Sequence, residues 1–328
     1  MKLRPRDLPL LVAAIVLVTA FAAGALRYDH FASVAVVRNL LVDNAFLGVA
    51  AVGATFVILS GGIDLSVGAV MAFTGVVVAA LVERGGVHPG IAIAIALALG
   101  AAFGLLQGAI IRGFALPAFL VTLAGMFLAR GMAFAVEPQS RPIRHPFVAT
   151  TLNESATIAL PLGETSTTIP LTVSIGAVTF VVAWFVLRQT PFGRRVYAIG
   201  DDLQGATVLG LPVAATTIAV YAISGFLSAL AGVVFVLYQQ AGDPTACKGL
   251  ELDAIAAVVI GGTLLRGGVG SVVGTLIGVL IYGLIQTIIT FEGTLSSWWT
   301  RIVVGALILA FVAAQRGLER VGRRLADA

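Results

Sequence analysis

Long apolar runs, separated by short polar segments, fill most of the chain. A helix needs about 20 apolar residues to cross the hydrocarbon core of a bilayer, and most of the runs approach that length. Two of them, 45–60 and 252–265, are short, and each carries a Gly-Gly pair at or near its end. The pattern predicts an all-α polytopic membrane protein with about ten transmembrane helices, two of them broken or re-entrant. The predicted spans are 8–26, 45–60, 66–82, 90–111, 117–136, 170–187, 214–238, 252–265, 269–291 and 301–314.

Composition supports a membrane protein and excludes several other classes. Hydrophobic residues make up 59% of the chain and charged residues 11%, with a mean hydropathy of +1.04. A soluble domain of 328 residues could not bury so much apolar surface, and intrinsic disorder needs the opposite composition. The single cysteine, Cys247, excludes a disulfide framework and a multi-cysteine metal site, and the three histidines lie far apart. We therefore predict no metal and no cofactor.

The distribution of lysine and arginine predicts how the spans are oriented. With ten crossings and a cytoplasmic N-terminus, the cytoplasmic segments carry 12 Lys and Arg in 60 residues, and the external segments carry 6 in 79. This bias follows the positive-inside rule and places both termini in the cytoplasm. The basic ends and loops also explain the pI of about 9.6, so no nucleic-acid partner is predicted. We expect the first span to be retained, since no small-residue cleavage site follows it. The cytoplasmic segments include 61–65 and 188–213, and the external ones include 27–43, 137–169 and 239–251.

The two glycine-rich breaks resemble each other and suggest an internal repeat. Residues 60–68 align with 260–268 at an offset of 200. Internal repeats are common in transporters, and the substrate path lies at their interface. The halves would be about 1–137 and 170–328, joined by an external loop over 137–169 in a single domain. Chance similarity is the alternative, because glycine is frequent in membrane helices. The matched positions are Gly61, Gly62, Leu65 and Gly68.

The first break, GGIDLSVG at 61–68, contains a lone carboxylate, Asp64. Gly61 and Gly62 permit the chain to leave helical form. The side chains of Asp64 and Ser66 can accept hydrogen bonds from the first N–H groups of the helix that follows. Two interpretations stay open: a capped re-entrant turn, or a position for Asp64 near the permeation path or the inner gate.

Three charged residues elsewhere are further candidates. Glu251 and Asp253 begin the second short run, and a capping or structural role is favoured over acid–base chemistry because no nucleophile or metal ligand accompanies them. Arg130 lies within a span, where a charge costs at least ~2.5 kcal/mol. It is expected either to face the bundle interior or to snorkel to the outer interface. The pathway or gate candidates are Gly61, Gly62, Asp64, Ser66, Arg130, Glu251, Asp253, Gly261 and Gly262.

The segment 188–213 is too polar to span and is predicted to be cytoplasmic. Gln204-Gly205-Ala206, followed by Gly210, resembles in degenerate form the Glu-Ala-Ala-xxx-Gly core of the loop by which many importer permeases dock on an ATPase. A short amphipathic helix that ends at Gly210 would suit a groove on a partner. The alternative is a charged loop that only follows the positive-inside rule. The predicted ATPase-coupling residues are Gly193, Arg194, Arg195, Gln204, Gly205, Ala206 and Gly210.

The chain carries no motif of an enzyme. Its only lysines, Lys2 and Lys248, follow no phosphate-binding glycine loop, so it has no Walker A motif. A nucleophile elbow and an HExxH motif are also absent from the sequence. We expect ATP hydrolysis, if the chain depends on it, to take place in a separate subunit.

Three stretches resemble the permeases of bacterial monosaccharide ABC importers of the ribose, arabinose and galactose type. They are GGIDLSVG at 61–68, TPFGRRVYAIG at 190–200 and ELDAIAAVVIGGT at 251–263, and their order and spacing agree over nearly the whole chain. More narrowly, the stretches 43–68, 122–127 and 291–300 resemble one of the two permeases of the galactofuranose importer. Ala246-Cys247-Lys248 departs from the small apolar or glycine residues usual at that place in the family.

The resemblance implies a working arrangement in the bacterial inner membrane. Two related permease subunits form the pathway within the lipid, a cytoplasmic ATPase drives it, and a periplasmic binding protein delivers the sugar. This chain would then move galactofuranose from periplasm to cytoplasm as half of a heterodimer. The alternative is an ion- or proton-coupled secondary sugar transporter, because broken spans and repeats also suit that class. A membrane-embedded enzyme is disfavoured by the lack of a catalytic constellation.

Overall fold

The computed structural model describes residues 8–148, 158–162, 165–296 and 298–326. Within these residues the chain forms thirteen α-helices and four short strands, so the mainly helical prediction is confirmed. The predicted external loop over 137–169 lies partly outside the described residues. The helices are α1 (Leu8–Arg27), α2 (Val34–Asp43), α3 (Ala45–Leu59), α4 (Val67–Glu83), α5 (Pro89–Gly113), α6 (Ala118–Val136), α7 (Leu171–Gln189), α8 (Pro191–Asp201), α9 (Leu203–Val208), α10 (Val213–Gln239), α11 (Leu250–Ile260), α12 (Val272–Glu292) and α13 (Trp298–Ala326).

The strands pair in two small antiparallel sheets that the sequence pattern did not predict. β1 (Arg141–Pro142) pairs with β4 (Ala241–Gly242), and β2 (Ile158–Leu162) pairs with β3 (Thr165–Ile169). The β1–β4 pair ties the start of the loop after α6 to the segment that follows α10. These strands are too short to show a polar–apolar alternation along the sequence.

Six described helices are long and apolar enough to cross a membrane, namely the part of α1 from Pro9, α5, α6, α7, α10 and α12. The pair α2 and α3 passes the same test together but bends by 51° at its break, which gives up to seven spans. Each of the ten apolar runs contains a helix, yet α4 and α11 are shorter than a span. At about 1.5 Å per residue, α11 is roughly 16 Å long against a hydrocarbon core of about 30 Å. The prediction of ten crossings therefore stays a prediction.

Helix α2 was not predicted, because its residues were assigned to an external segment. Ser33 begins the helix, and its hydroxyl accepts a hydrogen bond from the Val36 N–H at 3.4 Å. The apolar residues of this helix are bounded by polar residues, so they do not form a run long enough to be found as a span.

Helix α10 packs against α3, α4 and α5, and backbone contacts at glycines determine how close these helices lie. Gly100, Gly104 and Gly108 recur every four residues on the face of α5 that meets α10. A Cβ atom on Gly104 would lie 2.1 Å from the Tyr221 carbonyl oxygen. Only glycine allows this approach, as in other small-xxx-small interfaces of membrane helices.

Both glycine-rich breaks begin with the same backbone turn. After α3, the Gly61 N–H bonds the Ile58 carbonyl and the Gly62 N–H bonds the Val57 carbonyl, both at 2.9 Å, and Gly61 has φ +81°. This is a Schellman ending with a left-handed glycine. After α11, Gly262 takes the equivalent place with φ +93°. The left-handed glycines are thus Gly61 and Gly262, whereas the offset of 200 pairs Gly61 with Gly261. The linkers to α4 and α12 also differ in length, so the repeat is not confirmed and stays a prediction.

After the first break the chain turns back along α10. Along α10, Tyr221 lies over Gly62 and Ser224 bonds Asp64. Farther along α10, Val236 lies against Gly75 of α4. Residues 62–66 and α4 therefore follow α10 in one direction, for about 22 Å at 1.5 Å per residue. The turn lies at residues 60–62, and the assignment of 61–65 to the cytoplasmic side stays a prediction.

The segment after α10 folds inward in the opposite direction. A Cβ atom on Gly242 would lie 2.7 Å from the Ala79 Cβ, and one on Gly68 would lie 2.4 Å from the Cys247 carbonyl oxygen. A Cβ atom on Gly242 would also lie 2.7 Å from the Gly75 carbonyl oxygen, so from Gly242 to Cys247 the chain runs back along α4 for about 10–16 Å. The sequence did not predict this inward fold, and the assignment of 239–251 to the external side stays a prediction. Hydropathy shows where a helix is interrupted, but it does not show that the interrupting residues re-enter between other helices.

Asp64 is the anchor of the non-helical residues 62–66. Its carboxyl is buried, with 4% of the residue exposed. Oδ1 accepts from the Ser66 N–H at 2.9 Å and from the Ser66 hydroxyl at 2.7 Å, and Oδ2 accepts from the Ser224 hydroxyl of α10 at 2.7 Å. The Thr122 hydroxyl of α6 lies 3.2 Å from the Ile63 carbonyl oxygen. These side chains supply the partners that non-helical backbone and a carboxylate require where water is scarce.

We expect Asp64→Asn to be mild and Asp64→Leu to be severe. Asparagine keeps one side-chain oxygen that can accept from the two Ser66 donors. The Ser224 hydroxyl can rotate so that it accepts from the NH₂ group of the asparagine side chain. Leucine leaves the Ser66 N–H and the Ser224 hydroxyl without their acceptor, whereas the Ser66 hydroxyl keeps Gln107 Oε1 at 3.2 Å. Each buried unsatisfied group costs about 1–3 kcal/mol. Thermal unfolding in detergent and membrane abundance measure the difference. Equal stability of the Asn and Leu variants would contradict this account of Asp64.

Candidate coupling and translocation site

The predicted coupling segment forms two short helices, α8 and α9. Thr190 begins α8, with its hydroxyl accepting from the Gly193 N–H at 3.3 Å, and Asp202 begins α9 by accepting from the Gln204 N–H at 3.0 Å. Gly210 ends α9 with φ +71°, and its N–H bonds the Thr207 carbonyl at 3.0 Å. The predicted stop at Gly210 is therefore confirmed.

A small apolar core fixes α9 onto the rest of the protein. Ile199 of α8, Ala206 of α9 and Val213 of α10 are buried against one another. On the opposite side, Leu203, Val208 and Leu209 are 48%, 87% and 79% exposed. An exposed apolar surface of this kind is typical of contact with another protein or with a membrane.

The end of α8 meets both glycine-rich breaks at one point. The Gly268 N–H donates to the Leu59 carbonyl oxygen at 3.0 Å, which joins the second break to the end of α3. A Cβ atom on Gly200 would lie 1.9 Å from the same oxygen and 2.6 Å from the Gly268 nitrogen. We call this contact of Gly200, Leu59 and Gly268 the three-way junction. Because backbone touches backbone here, α8 cannot shift without moving both breaks.

The other predicted coupling residues have different surroundings. Gly193 and Ala206 are buried, and a Cβ atom on Gly193 would lie 2.2 Å from the Leu187 carbonyl oxygen, so both serve packing. Arg194 and Gln204 are exposed, whereas Arg195 and Gly205 are partly exposed. Of the predicted set, Arg194 and Gln204 present the most surface to a partner. The sequence reasoning missed Gly200, although it lies in the TPFGRRVYAIG stretch, because its role depends on two distant segments.

Arg130 faces the protein interior, which decides between its two predicted orientations. Its Nη1 donates to the carbonyl oxygens of Pro244 and Ala246, both at 2.7 Å. Arg130 thus holds the inward-folding segment between α10 and α11. Its donors satisfy carbonyl groups that lie among helices, as buried backbone outside a helix requires.

Glu251 and Asp253 do not form a carboxylate pair. Glu251 Oε1 accepts from the Gly249 N–H at 3.2 Å, at the start of α11. A Cβ atom on Gly68 would lie 2.3 Å from Glu251 Oε2, so the starts of α4 and α11 lie side by side. Acidic side chains are favoured at helix N-termini, which agrees with a structural role for Glu251.

Asp253 lines a polar cavity instead. Two neighbouring cavities of about 570 and 260 Å³ share Asp253, Tyr282 and Gln286. The sequence analysis missed Tyr282 and Gln286 because they lie within an apolar run. Their spacing of four residues, which places two polar side chains on one face of α12, was the available signal.

The remaining pathway candidates have structural roles: they permit close backbone contacts or orient a neighbouring side chain. A Cβ atom on Gly261 would lie 2.1 Å from the Gly274 carbonyl oxygen, so Gly261 permits the contact between α11 and α12. Gly62 lies under the Tyr221 hydroxyl, and Ser66 orients Asp64. Among the described residues, no group of three or more His, Cys, Asp or Glu side chains has an arrangement that could hold a metal ion.

Comparison with known proteins places these features in a family. The family model described as branched-chain amino acid transport system / permease component matches residues 36–312. The inner membrane ABC transporter permease protein YjfF of Escherichia coli K12 is 49% identical over 313 residues, which cover 95% of this chain and 93% of the relative. No solved structure matches the chain.

Two further relatives carry names that state a sugar. The ribose import permease protein RbsC of Escherichia coli K12 is 41% identical over 84% of this chain and 83% of its own length. The fructose import permease protein FruG of Bifidobacterium longum is 36% identical over 98% of this chain and 94% of its own length. These relatives are membrane permease components and not enzymes themselves. The chain therefore belongs to this family of ABC transporter permease components, whose members include import permeases for sugars.

Proposed function

We propose that the chain is a transmembrane permease subunit of an ATP-driven importer that moves a monosaccharide, galactofuranose, from the periplasm to the cytoplasm. The family and its sugar-importing relatives support the class of function. The mechanism rests on the three-way junction. This junction joins the predicted coupling segment, residues 188–213, which we also call the docking segment, directly to both glycine-rich breaks.

The proposed coupling starts at the exposed apolar face of α9, where a cytoplasmic ATPase would dock. Closure of the ATPase would displace α9, and the core of Ile199, Ala206 and Val213 would pass that displacement to α8. The three-way junction would then move the ends of α3 and α11 together. Since α4 and α11 begin side by side, a shift of these two helices would open or close a path between them.

The proposed partners follow from this arrangement. They are a second, related permease subunit in a heterodimer, the cytoplasmic ABC ATPase, a periplasmic sugar-binding protein and the lipid of the bacterial inner membrane. The charge bias supports cytoplasmic termini. Residues 1–7 and 327–328 lie outside the described residues, so the orientation depends on the sequence and on the docking segment.

Galactofuranose is proposed from the narrower resemblance of 43–68, 122–127 and 291–300. The third stretch supplies Phe291 to Thr300, several of which line the larger cavity beside Asp253. Lys248, which departs from the family pattern, lines the smaller cavity. Residues of the resembling stretch and Lys248 thus line the cavities where a sugar could be recognised.

Secondary transport is the alternative, and one observation favours it. Discontinuous helices with N-termini inside the bundle are typical of ion-coupled transporters, and α4 and α11 both follow non-helical segments that lie against other helices. Asp64 would be the coupling carboxylate, but its two oxygens already accept three hydrogen bonds.

We expect transport to require the ATPase. Vesicles that contain both permeases, the ATPase and the binding protein should accumulate labelled sugar with ATP inside. Vesicles without the ATPase should accumulate none, even with an imposed proton gradient, because the chain has no nucleotide-binding motif. Accumulation driven by the gradient alone would overturn the importer proposal in favour of the secondary transporter.

We expect Gly200→Ala to uncouple hydrolysis from transport. The added methyl group would collide with the Leu59 carbonyl oxygen and force the three-way junction apart. A coupling change of about 1.4 kcal/mol would lower sugar uptake per ATP hydrolysed roughly tenfold. Gly113→Ala is the matched control, since a Cβ atom there would meet nothing within 4 Å. Equal coupling ratios for the two variants would show that the junction does not transmit motion.

We expect a cysteine at position 208 to crosslink to the ATPase and to resist impermeant reagents added outside intact cells. Val208 is 87% exposed, so labelling is not limited by burial. The new cysteine is introduced into the Cys247→Ser variant, which lacks the only native cysteine. Leu295→Cys, in the segment predicted to be external, is the control that should be labelled from outside. Labelling of position 208 from outside would overturn both the orientation and the docking assignment.

A further inference from the structure

The two cavities that meet at Asp253 have the size and position of a small-ligand site. Their volumes of about 570 and 260 Å³ lie in or near the range of small-molecule pockets, roughly 300–1,000 Å³. They lie at the start of α11, the end of α12 and the start of α13. The charge count assigns this end of the bundle to the external side.

The lining has the chemistry that hydroxyl groups require. A carboxylate accepts hydrogen bonds, whereas a phenol and an amide both donate and accept. Thr290, Thr300 and Arg301 add hydroxyl and guanidinium groups to the larger cavity, and Phe46 adds an apolar wall to the smaller one. Sugars present this same combination of donors, acceptors and apolar ring faces.

The three shared residues converge on one place before any ligand binds. Asp253 of α11 lines both cavities together with Tyr282 and Gln286 of α12, and Arg301 lines the larger cavity with them. Tyr282 is 6% exposed, which fixes its ring, whereas Asp253 and Gln286 are partly exposed towards the cavities. Such preorganisation lowers the entropic cost of binding.

The site is also connected to the coupling machinery. Asp253 lies in the first turn of α11, and the other end of α11 packs on α12 through Gly261 and leads into the three-way junction. A ligand at Asp253 would therefore contact the same half-length helix that the docking segment moves.

We propose that Asp253, Tyr282 and Gln286 form a monosaccharide-binding subsite within the permease itself, at the external entrance of the pathway. This inference deepens the proposed function and rests on it. The subsite would receive a sugar released by the binding protein and hold it by its hydroxyl groups until α11 moves.

The test measures sugar binding to the purified complex of both permeases and the ATPase, without the binding protein. Methyl β-D-galactofuranoside is the probe, and its pyranoside isomer is the comparison. Trp298 lines the larger cavity, so its fluorescence reports occupancy. We expect Asp253→Asn, Tyr282→Phe and Gln286→Ala each to weaken binding about tenfold or more, since each removes a hydrogen-bonding group from a preorganised site.

Asp29→Asn is the matched control, because Asp29 is exposed and does not line either cavity. Thermal unfolding is measured for every variant, and Tyr282→Phe and Gln286→Ala keep the test valid if Asp253→Asn unfolds. Unchanged affinity in the folded variants, or no binding to the unaltered complex, would overturn the subsite. ATP-driven uptake of the same sugar by the unaltered transporter, measured separately, shows whether the proposed function stands when the subsite fails.

Discussion

Polar backbone that leaves helical form among apolar helices must find partners within the protein, and this constraint organises the fold. Residues 62–66 form no regular secondary structure between α3 and α4, where water is scarce. Asp64 meets the constraint by accepting from Ser66 and Ser224, which ties the segment to α10. Arg130 meets it on the other side by donating to two carbonyl groups of the segment before α11. One acidic and one basic side chain thus support the two non-helical segments.

These two segments set where α4 and α11 begin. Because 62–66 follows α10 without helical hydrogen bonds, α4 can begin deep in the bundle, and the inward fold after α10 lets α11 begin beside it. The two N-termini then lie next to each other with Glu251 between them. Short helices of this kind can move as units, whereas a full-length span resists a shift along its whole packed surface.

Glycine contacts decide how motion can pass between parts of the protein. At the three-way junction, backbone atoms of three distant segments touch with no side chain between them. A side chain could change rotamer and absorb a displacement, but contacting backbone transmits it. Gly261 and Gly274 meet in the same way, so that backbone touches backbone between α11 and α12 as well.

The sequence by itself determined the class of the protein, the positions of most helices and the end of α9 at Gly210. Long apolar runs, the lysine and arginine bias and the glycine at the end of α9 are local properties, and local properties can be obtained from a linear pattern. Only the tertiary structure decided that 62–66 and the segment after α10 fold inward, that Gly200 joins both breaks, and that Tyr282 and Gln286 share a cavity with Asp253. Each of these depends on residues far apart in the chain that meet because apolar helices pack. For a polar residue in an apolar run, the sequence gives the neighbours along the chain but not the residues that it contacts on other helices.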